Sequence, residues 1–335
     1  MYGEAAEAPA VVRAQLEANA GRVARLGERL RSSPPRAVVT IARGSSDHAA
    51  TFARYLIETR LSVLTSSAAP SVSSVYDVAP DLAGTVVLAI SQSGASPDLL
   101  SAVSRARSGG ARVVALVNAE SSPLAQLADD LLPLGAGPEL SVAATKSYIA
   151  SLAAIVHLTA AWTQDAVLAA ALAAAPGRLA HAFELDWSAA VEHLTSANNL
   201  YVIGRGLGLG VAQEAALKFK ETCGLHAEAL SAAELRHGPM ALVRARFPLL
   251  IFAQNDASRP GITQLAAELA AQGADVLLAG AEAAHATVLP SLAAHPVIEP
   301  LLFAQSFYRM ANALSLARGR DPDRPPHLSK VTETV

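Results

Sequence analysis

The chain repeats itself at an offset of 162 to 163 residues, which restricts it to folds that are built twice. Three pairs of segments share this offset: 38–46 (VVTIARGSS) with 201–210 (YVIGRGLGLG), 89–96 (AISQSGAS) with 251–258 (IFAQNDAS), and 110–120 (GARVVALVNAE) with 273–282 (GADVLLAGAE). Each segment begins with a short apolar run, and the first two pairs continue into a turn that leads toward an Ala/Leu-rich helical segment. The repeated element is therefore a strand, a turn and a helix.

The predicted strands of the first copy are apolar at nearly every position. The runs AVVTIA, TVVLAI and RVVALV show no alternation between polar and apolar residues. Strands of this kind are buried on both faces, and they form parallel sheets that are covered by helices on both sides. The predicted fold class is α/β, with two duplicated, doubly wound, three-layer αβα domains.

Length and proline content indicate where the domains begin and end. The chain has 335 residues, of which 52% are apolar, so it can form two cores. We expect an N-terminal helical segment over 1–34, a first domain over 35–165 and a second domain over 166–320. The remaining residues, 321–335, are polar and include prolines, so we expect an extended C-terminal tail.

Composition argues against several classes of protein. The net charge is −3 and no dense run of Lys or Arg occurs, so we expect no nucleic-acid partner. The longest apolar run, 142–162, is interrupted by Lys146 and His157, which favours a buried helix over a membrane span. Cys223 is the only cysteine, and the N-terminus lacks the apolar core of a signal peptide. We therefore expect a cytoplasmic protein without disulfides.

A serine-rich turn follows the second predicted strand of the first copy. Ser91, Gln92, Ser93 and Ser96 lie between this strand and a helix that starts at Pro97. Hydroxyls, an amide and backbone N–H groups at the positive end of a helix suit a phosphate. An ordinary helix cap would explain Ser96 and Pro97 alone, but it would not explain the polar residues before them.

The second copy has a different turn at the matching place. Its sequence is Ala253-Gln254-Asn255-Asp256, in which a carboxylate would repel a phosphate. The glycine-rich turn 204–210 lacks the third glycine of a dinucleotide-binding fingerprint, and no Walker lysine motif occurs. Only the first copy is therefore predicted to bind phosphate.

The second copy instead carries a charged stripe on a predicted helix. Glu214, Lys218 and Glu221 fall within about 60° of one another at 100° per residue, whereas Lys220 points elsewhere. A solvated face with two weak helical ion pairs is the ordinary interpretation of such a stripe. Only 16% of the chain is charged, so three charges on an Ala/Leu-rich helix also suggest an acid–base site.

Five motifs in this order resemble the tandem sugar isomerase (SIS) family: ARGSSDHA, ISQSGASPD, LSVAATKSY, EAALKFKETCGLHAEALSAAELRHGPMALV and HLSKVTETV. The resemblance covers almost the whole chain and is closest to the isomerase half of glutamine:fructose-6-phosphate aminotransferase. That enzyme has an N-terminal glutaminase domain, which does not precede the motifs in this sequence. The chain also resembles the stand-alone type II glucosamine-6-phosphate deaminases, so the resemblance implies release of ammonia from glucosamine 6-phosphate to give fructose 6-phosphate.

The resemblance also implies roles for individual residues. The phosphate would be held by Ser91, Gln92, Ser93 and Ser96, and the sugar hydroxyls would contact Ser46 and the backbone near Val142. Glu221 would move a proton between C2 and C1, and His237 would open the sugar ring. Lys330 matches the Schiff-base lysine of the family. Lys218 and Glu214 would orient Glu221 and balance its charge.

The resemblance implies neither a cofactor nor a metal. The residues His226, Glu228, Glu234 and His237 fit no common zinc spacing, and aldose–ketose chemistry requires no metal. Proteins of this family generally dimerise, and their ring-opening histidine reaches the partner's site. We therefore expect a homodimer that binds a small sugar phosphate.

Three alternative functions remain open from the sequence. The first is another amino-sugar-phosphate isomerase or deaminase, such as a fructosamine-6-phosphate deglycase or a galactosamine-6-phosphate deaminase. The second is a non-catalytic sugar-phosphate sensor, which the presence of Glu221, His237 and Lys330 disfavours. The third is an aminating enzyme that receives ammonia from a separate glutaminase subunit.

Overall fold

The computed structural model describes residues 1–330 and consists of helices and parallel strands in alternation. The α-helices are α1 (Tyr2–Ser32), α2 (Ser45–Leu61), α3 (Pro70–Ser74), α4 (Pro97–Ser108), α5 (Pro123–Leu127), α6 (Lys146–Thr163), α7 (Ala166–Ala173), α8 (Ala175–Glu184), α9 (Ser188–Leu194), α10 (Gly208–Cys223), α11 (Arg259–Ala271) and α12 (Glu299–Ala317). The strands are β1 (Val38–Ile41), β2 (Thr65–Ser67), β3 (Val86–Ser91), β4 (Arg112–Val117), β5 (Asp130–Pro133), β6 (Asn199–Gly204), β7 (His226–Ser231), β8 (Pro248–Phe252), β9 (Asp275–Ala279) and β10 (Thr287–Leu289). Short 3₁₀ turns cover Glu234–Arg236 and Pro239–Leu242.

The two sheets have the same topology, which confirms the predicted duplication. The first has the order β2-β1-β3-β4-β5, and the second has the order β7-β6-β8-β9-β10, with every pair parallel. Val39 of β1 pairs with Val87 of β3, and Tyr201 of β6 pairs with Leu249 of β8. The register of both sheets therefore follows the offset of 162 that the sequence shows.

The chain forms two compact units, each of which contains one sheet. The first unit comprises residues 10–139 and 146–173 together with the segment that starts at Ser329. The second unit comprises 1–9, 140–145 and 174–328. In the second unit the tail residues from Asp321 to Leu328 form no helix or strand, whereas 331–335 lie outside the described residues.

The central strands are buried on both faces, as the apolar runs predict. All six residues of β3 are buried, and Val87 and Ala89 join the core cluster that α4 covers. In the second unit the corresponding core contains Leu249 and Ile251 of β8 and packs under α11. Burial of apolar side chains on both faces explains why these strands lack polar alternation.

Helix α6 confirms the interpretation of the long apolar run as a buried segment. Fifteen of its residues are buried, including Lys146 and Ser151. Within residues 1–330, no single helix is long and apolar enough to cross a bilayer, although the bent pair α7 and α8 meets the length and composition requirement together.

Candidate functional site

The serine turn, Ser91–Ser96, lies at the carboxyl end of β3 and is held in shape by its own hydroxyls. The Gly94 N–H donates to Ser91 Oγ over 2.9 Å, and the Ala95 N–H donates to Ser93 Oγ over 3.3 Å. Gly94 has φ +64°, and a Cβ at this position would overlap Ser122 Oγ. Both hydroxyls act here as acceptors, so their protons remain available to donate to an anion.

Other polar groups near the turn have no side-chain partner among residues 1–330. Ser96 is the N-cap residue of α4, yet its side chain makes no capping hydrogen bond. Gln92 likewise has no side-chain hydrogen bond within residues 1–330, and neither does Ser46, the second residue of α2. An ordinary cap therefore does not account for Ser96. These groups lie at the starts of two helices, where anions are favoured.

An ion pair between Arg43 and Asp98 connects the start of α4 to the segment after β1. Asp98, in the first turn of α4, is 1% exposed and pairs with Arg43 at 2.7 Å. Arg43 lies two residues after β1 and directly before Gly44, so this contact ties the start of α4 to the turn that precedes α2. The Arg43 charge also balances a buried carboxylate that would otherwise oppose an anion.

The corresponding turn of the second copy is closed by internal bonds. Gln254 is fully buried, and its amide donates to Arg205 O at 2.7 Å, Asp256 Oδ2 at 3.0 Å and Ser258 Oγ at 3.1 Å. Asp256 also accepts from the Ser258 N–H at 2.8 Å. Glu299 accepts from the Asn255 N–H at 2.5 Å and adds a second carboxylate. The turn leaves no comparable set of donors for a phosphate.

The charged stripe on α10 is buried rather than solvated. Glu214 and Lys218 are each 1% exposed, and Glu221 is 20% exposed. Lys218 Nζ lies 3.4 Å from Glu214 Oε1 and donates to Glu221 Oε2. The Tyr308 hydroxyl of α12 donates to Glu214 Oε1 over 3.0 Å. The three residues of the stripe therefore form one charged array. Because two of them are buried, the stripe is not a solvated face.

The charges of this array stabilise one another. Burial by itself disfavours the charged form of Lys218, but the adjacent carboxylates of Glu214 and Glu221 outweigh it and raise the pKa of Lys218. Lys218 therefore remains an ammonium at neutral pH and is not a proton acceptor. Among the three, Glu221 has the most exposed side chain, so it is the member that a substrate can reach.

His237 lies on the surface and apart from Glu221. It follows the 3₁₀ turn Glu234–Arg236 after β7, and its ring is exposed and has no partner within residues 1–330. Glu221 precedes β7, in the last turn of α10. The six residues of β7 lie between them and span roughly 17 Å at about 3.3 Å per residue. Glu221 and His237 thus lie before and after opposite ends of β7, and no hydrogen bond or ion pair joins them within residues 1–330.

Lys330 lies at a buried carboxylate of the first unit. Its Nζ is 3.4 Å from Glu139 Oε2, and Glu139 is 4% exposed. The same carboxylate accepts from the Ser147 hydroxyl at 2.6 Å and from the Ser147 N–H at 3.3 Å. Glu139 thus holds the ammonium of Lys330 in place. The last five residues of the HLSKVTETV motif lie outside the described residues.

Val142 belongs to the second unit through its backbone. Its N–H donates to Asp323 O over 3.3 Å, which leaves its carbonyl oxygen for other contacts.

Within residues 1–330, no group of three or more His, Cys, Asp or Glu side chains is arranged to hold a metal ion. Cys223 is buried, and this burial raises the pKa of its thiol to about 11.

Two supporting residues were missed by sequence reasoning. Tyr308 and Glu139 lie far along the chain from Glu214 and Lys330, which they contact. Their sequence surroundings, SFYRM and GPELS, carry no spacing that indicates such contacts.

Comparison with known proteins agrees with this geometry. The family model "SIS domain" matches residues 33–161 and 193–281, one segment in each sheet. The curated relatives include a glutamine–fructose-6-phosphate aminotransferase of Aeropyrum pernix, with 35% identity over 97% of this chain and 53% of the relative. A second, from Zymomonas mobilis, is 32% identical over 88% of this chain. The chain spans about half the length of these relatives.

Solved structures show the same fold. A candidate phosphosugar isomerase of Silicibacter pomeroyi has a TM-score of 0.93 and 42% identity, and the match covers 96% of this chain and 99% of that one. The C-terminal domain of glucosamine-fructose-6-phosphate aminotransferase from Francisella tularensis has a TM-score of 0.87 and 25% identity over 97% of this chain and 98% of that one. With both halves matched by the family model and by these relatives, the chain belongs to the SIS domain family.

Proposed function

We propose that this chain is a glucosamine-6-phosphate deaminase that converts glucosamine 6-phosphate and water into fructose 6-phosphate and ammonia. The observation that carries the proposal is the buried charged array of Glu214, Lys218 and Glu221. A sensor would need only the serine turn, and a buried ion pair with an accessible carboxylate is costly to keep without a use.

The phosphate-binding step is assigned to the first unit. The hydroxyls of Ser91, Ser93 and Ser96, the Gln92 amide and the start of α4 supply neutral donors and a favourable helix dipole. Ser46 and the Val142 carbonyl are proposed to contact sugar hydroxyls. Neutral donors suit a phosphate that must also be released, because they bind it without a strong ion pair.

The proton-transfer step is assigned to Glu221. After ring opening, the open-chain sugar has an aldehyde at C1 and an amine at C2. Glu221 removes the proton from C2 and returns it to C1, while a second proton passes from the amine nitrogen to O1. The product has an imine at C2 and a hydroxyl at C1. Water then adds to C2 and ammonia leaves, which gives the C2 carbonyl of fructose 6-phosphate. Lys218, held as an ammonium, stabilises the carboxylate form of Glu221 between transfers.

Ring opening is assigned to His237, with Lys330 near the carbonyl. A free imidazole can both accept and donate a proton, and the exposed ring of His237 has no partner within residues 1–330. Glu139 holds Lys330 Nζ at 3.4 Å. Lys330 is proposed to polarise the product carbonyl or, after losing a proton, to form an imine with it as water leaves. Neither role requires a cofactor or a metal.

The separation of Glu221 and His237 supports a homodimer in which His237 acts in the partner's site. A subunit-complementation experiment tests this arrangement. Glu221→Gln and His237→Asn proteins should each be inactive alone. When mixed and allowed to exchange subunits, they should regain up to about a quarter of the wild-type activity, because some dimers then have one intact site. Activity in a monomer, measured by mass after size separation, would contradict it.

A second direction of the same reaction is favoured by the relatives. They are named as aminotransferases, so the chain could instead run toward amination with ammonia from a separate protein. Both directions would use the same groups. The two are compared by starting the assay either from glucosamine 6-phosphate or from fructose 6-phosphate and ammonia. Galactosamine 6-phosphate and a fructosamine 6-phosphate in the same assay compare the remaining candidate substrates.

The decisive assay follows ammonia and fructose 6-phosphate from purified protein and glucosamine 6-phosphate without added cofactor. Glu221→Gln should lower kcat by about 10² to 10⁴ because it removes the proposed acid–base group. Glu228→Gln, on the exposed edge strand β7, is the matched control and should leave kcat unchanged. Absence of product from the wild type in both directions would refute the proposed function.

A further inference from the structure

The second unit has a large groove at the amino edge of its sheet, opposite to the edge where the turns lie. Its volume is about 770 Å³, within the range of small-molecule sites. It is lined by the segments that lead into β6, β8 and β9, among them Asn198, Arg244, Arg246 and Asp275. None of these residues belongs to the proposed catalytic groups.

The turn before β8 repeats the turn before β3. In the first copy the Thr85 N–H donates to Leu82 O over 3.0 Å, and in the second copy the Phe247 N–H donates to Arg244 O over 2.9 Å. The third residue of each turn has positive φ: +72° for Gly84 and +64° for Arg246. The two copies therefore share one backbone conformation at this turn.

The side chains at this turn differ between the two copies, and those of the second copy are less favourable for folding. Glycine suits positive φ because it has no Cβ, whereas arginine is strained there. Leu82 packs against the first core, but Arg244 at the same position is exposed. The second copy has therefore replaced a packed leucine and an unstrained glycine with two arginines at a groove. Strain that persists at one position is a reason to look for a role.

No side chain of the described part of the protein neutralises the charge of the two arginines. Within residues 1–330, neither guanidinium has a hydrogen-bond or ion-pair partner. Asp275 in the groove is already engaged by His193, at 2.7 Å, and Glu192 at the rim is the remaining acidic group of the lining. Arg318 fixes the groove wall by donating to the carbonyl oxygens of Thr195 and Ala197.

We propose that this groove binds the phosphate group of a small phosphorylated molecule through Arg244 and Arg246. One guanidinium group can donate two parallel hydrogen bonds to two oxygens of a phosphate. Arginine is therefore well suited to phosphate recognition. The groove holds two such groups on one short turn, which fits one phosphate or diphosphate. The chain's net charge of −3 argues against an extended nucleic acid at this place. This proposal is independent of the proposed catalytic function.

The test measures binding of inorganic pyrophosphate by isothermal titration at low salt. A Ser93→Asp protein is used so that the serine turn does not contribute. The decisive variant adds Arg244→Leu and Arg246→Gly, which install the residues of the first copy and relieve the strained φ. Its urea-unfolding midpoint should be equal to or above that of the parent, so lost binding cannot come from misfolding. Arg13→Ala with Arg54→Ala is the charge-matched control on exposed helices of the first unit.

We expect one equivalent of pyrophosphate to bind to the Ser93→Asp protein, with affinity reduced at least tenfold by the two groove substitutions and unchanged by the control. Absence of binding to the Ser93→Asp protein would overturn the proposal, as would a reduction smaller than tenfold in the groove variant. Tighter groove-dependent binding of a labelled oligonucleotide than of pyrophosphate would overturn the assignment to a small molecule.

Discussion

Helices α2 and α10 occupy the same place in the two copies, yet two buried positions that are apolar in α2 are charged in α10. At the offset of 162, Glu214 and Lys218 of α10 correspond to Phe52 and Leu56 of α2, which are fully buried. Both helices therefore bury the same face, and packing does not require charge there. The difference shows that burial at this face does not require charge, which supports the acid–base role that we propose for the array.

The turns at the strand ends also differ, but here the first copy carries the groups to which we assign a function. The serine turn of the first copy leaves Gln92 and Ser96 without partners within residues 1–330, whereas Gln254 and Asp256 of the second copy bond to each other. One copy thus offers neutral donors, and the other offers buried acid–base groups. We interpret the duplication as a division of labour between phosphate binding and proton transfer.

The largest expected effect comes from removing the charge at the centre of the array. Lys218→Met leaves the buried Glu214 without its cation, so the free energy of unfolding should fall by about 3 to 5 kcal/mol. Urea unfolding measures this change. Lys220→Met, on the exposed face of the same helix, should change stability by less than about 0.5 kcal/mol.

Replacing the two fully buried charges of the array together with Tyr308 should have the opposite outcome. Glu214→Leu, Lys218→Leu and Tyr308→Phe copy the apolar packing of α2 and leave Glu221, the most exposed carboxylate of the array, to water. The triple variant should be as stable as the wild type, or more stable by up to about 4 kcal/mol. It should also be inactive. A triple variant less stable than Lys218→Met would show that the array is needed for folding.

The next effect concerns the conformation of the serine turn. Gly94→Ala places a methyl group against Ser122 in a backbone with φ +64°, so it should destabilise the first unit by about 2 to 4 kcal/mol. Gly206→Ala in the second copy has similar strain but an open neighbourhood, with its nearest contact at 3.8 Å. It should lower stability by only about 1 to 2 kcal/mol. Equal effects on the unfolding midpoint would argue against close packing at Gly94.

The smallest effect concerns pH and distinguishes the half-buried His157 from the buried Lys218. Burial lowers the pKa of His157 in the first unit below its ordinary 6.5, so the unfolded chain binds this proton more readily. Stability should therefore fall as the pH drops below 6.5 toward the folded pKa. The pKa of Lys218 is raised instead, so its contribution is present below 10.5 and is lost only as the pH rises through the higher folded value.

Thermal unfolding at pH 8 and pH 5.5 checks the contribution of His157. His157→Gln should reduce the decrease in midpoint between these pH values, whereas His181→Gln, at an exposed position, should not. Lys218 should contribute equally at both pH values. An unchanged pH dependence in His157→Gln would contradict the assignment.

The repeat, the parallel sheets and the charged stripe could be predicted because each leaves a pattern within a few neighbouring residues. Strand β3 is a continuous apolar run, and Glu214, Lys218 and Glu221 follow the helical period. Edge strand β7, with the sequence HAEALS, is half polar and gives only a weak signal. An edge strand has one hydrogen-bonded neighbour and one open side, so its side chains need not be apolar.

Properties that depend on distant residues could not be predicted in this way. The sequence predicts consecutive domains over 35–165 and 166–320, whereas each compact unit includes segments from elsewhere in the chain, such as 140–145 in the second. The buried Glu214 accepts a hydrogen bond from Tyr308 of α12, which lies about ninety residues further along the chain. Such packing follows from the complete fold and has no local period.

The division of labour is tested most directly by measuring substrate affinity and turnover separately in variants of the two copies. Glu221→Gln should lower kcat by about 10² to 10⁴ and leave the Kd of glucosamine 6-phosphate within about threefold of wild type. Ser93→Asp, which adds a negative charge to the serine turn, should raise this Kd by about 100-fold, whereas Asn255→Asp at the matching position of the second copy should not. Unchanged affinity in Ser93→Asp, or full turnover in Glu221→Gln, would contradict the account.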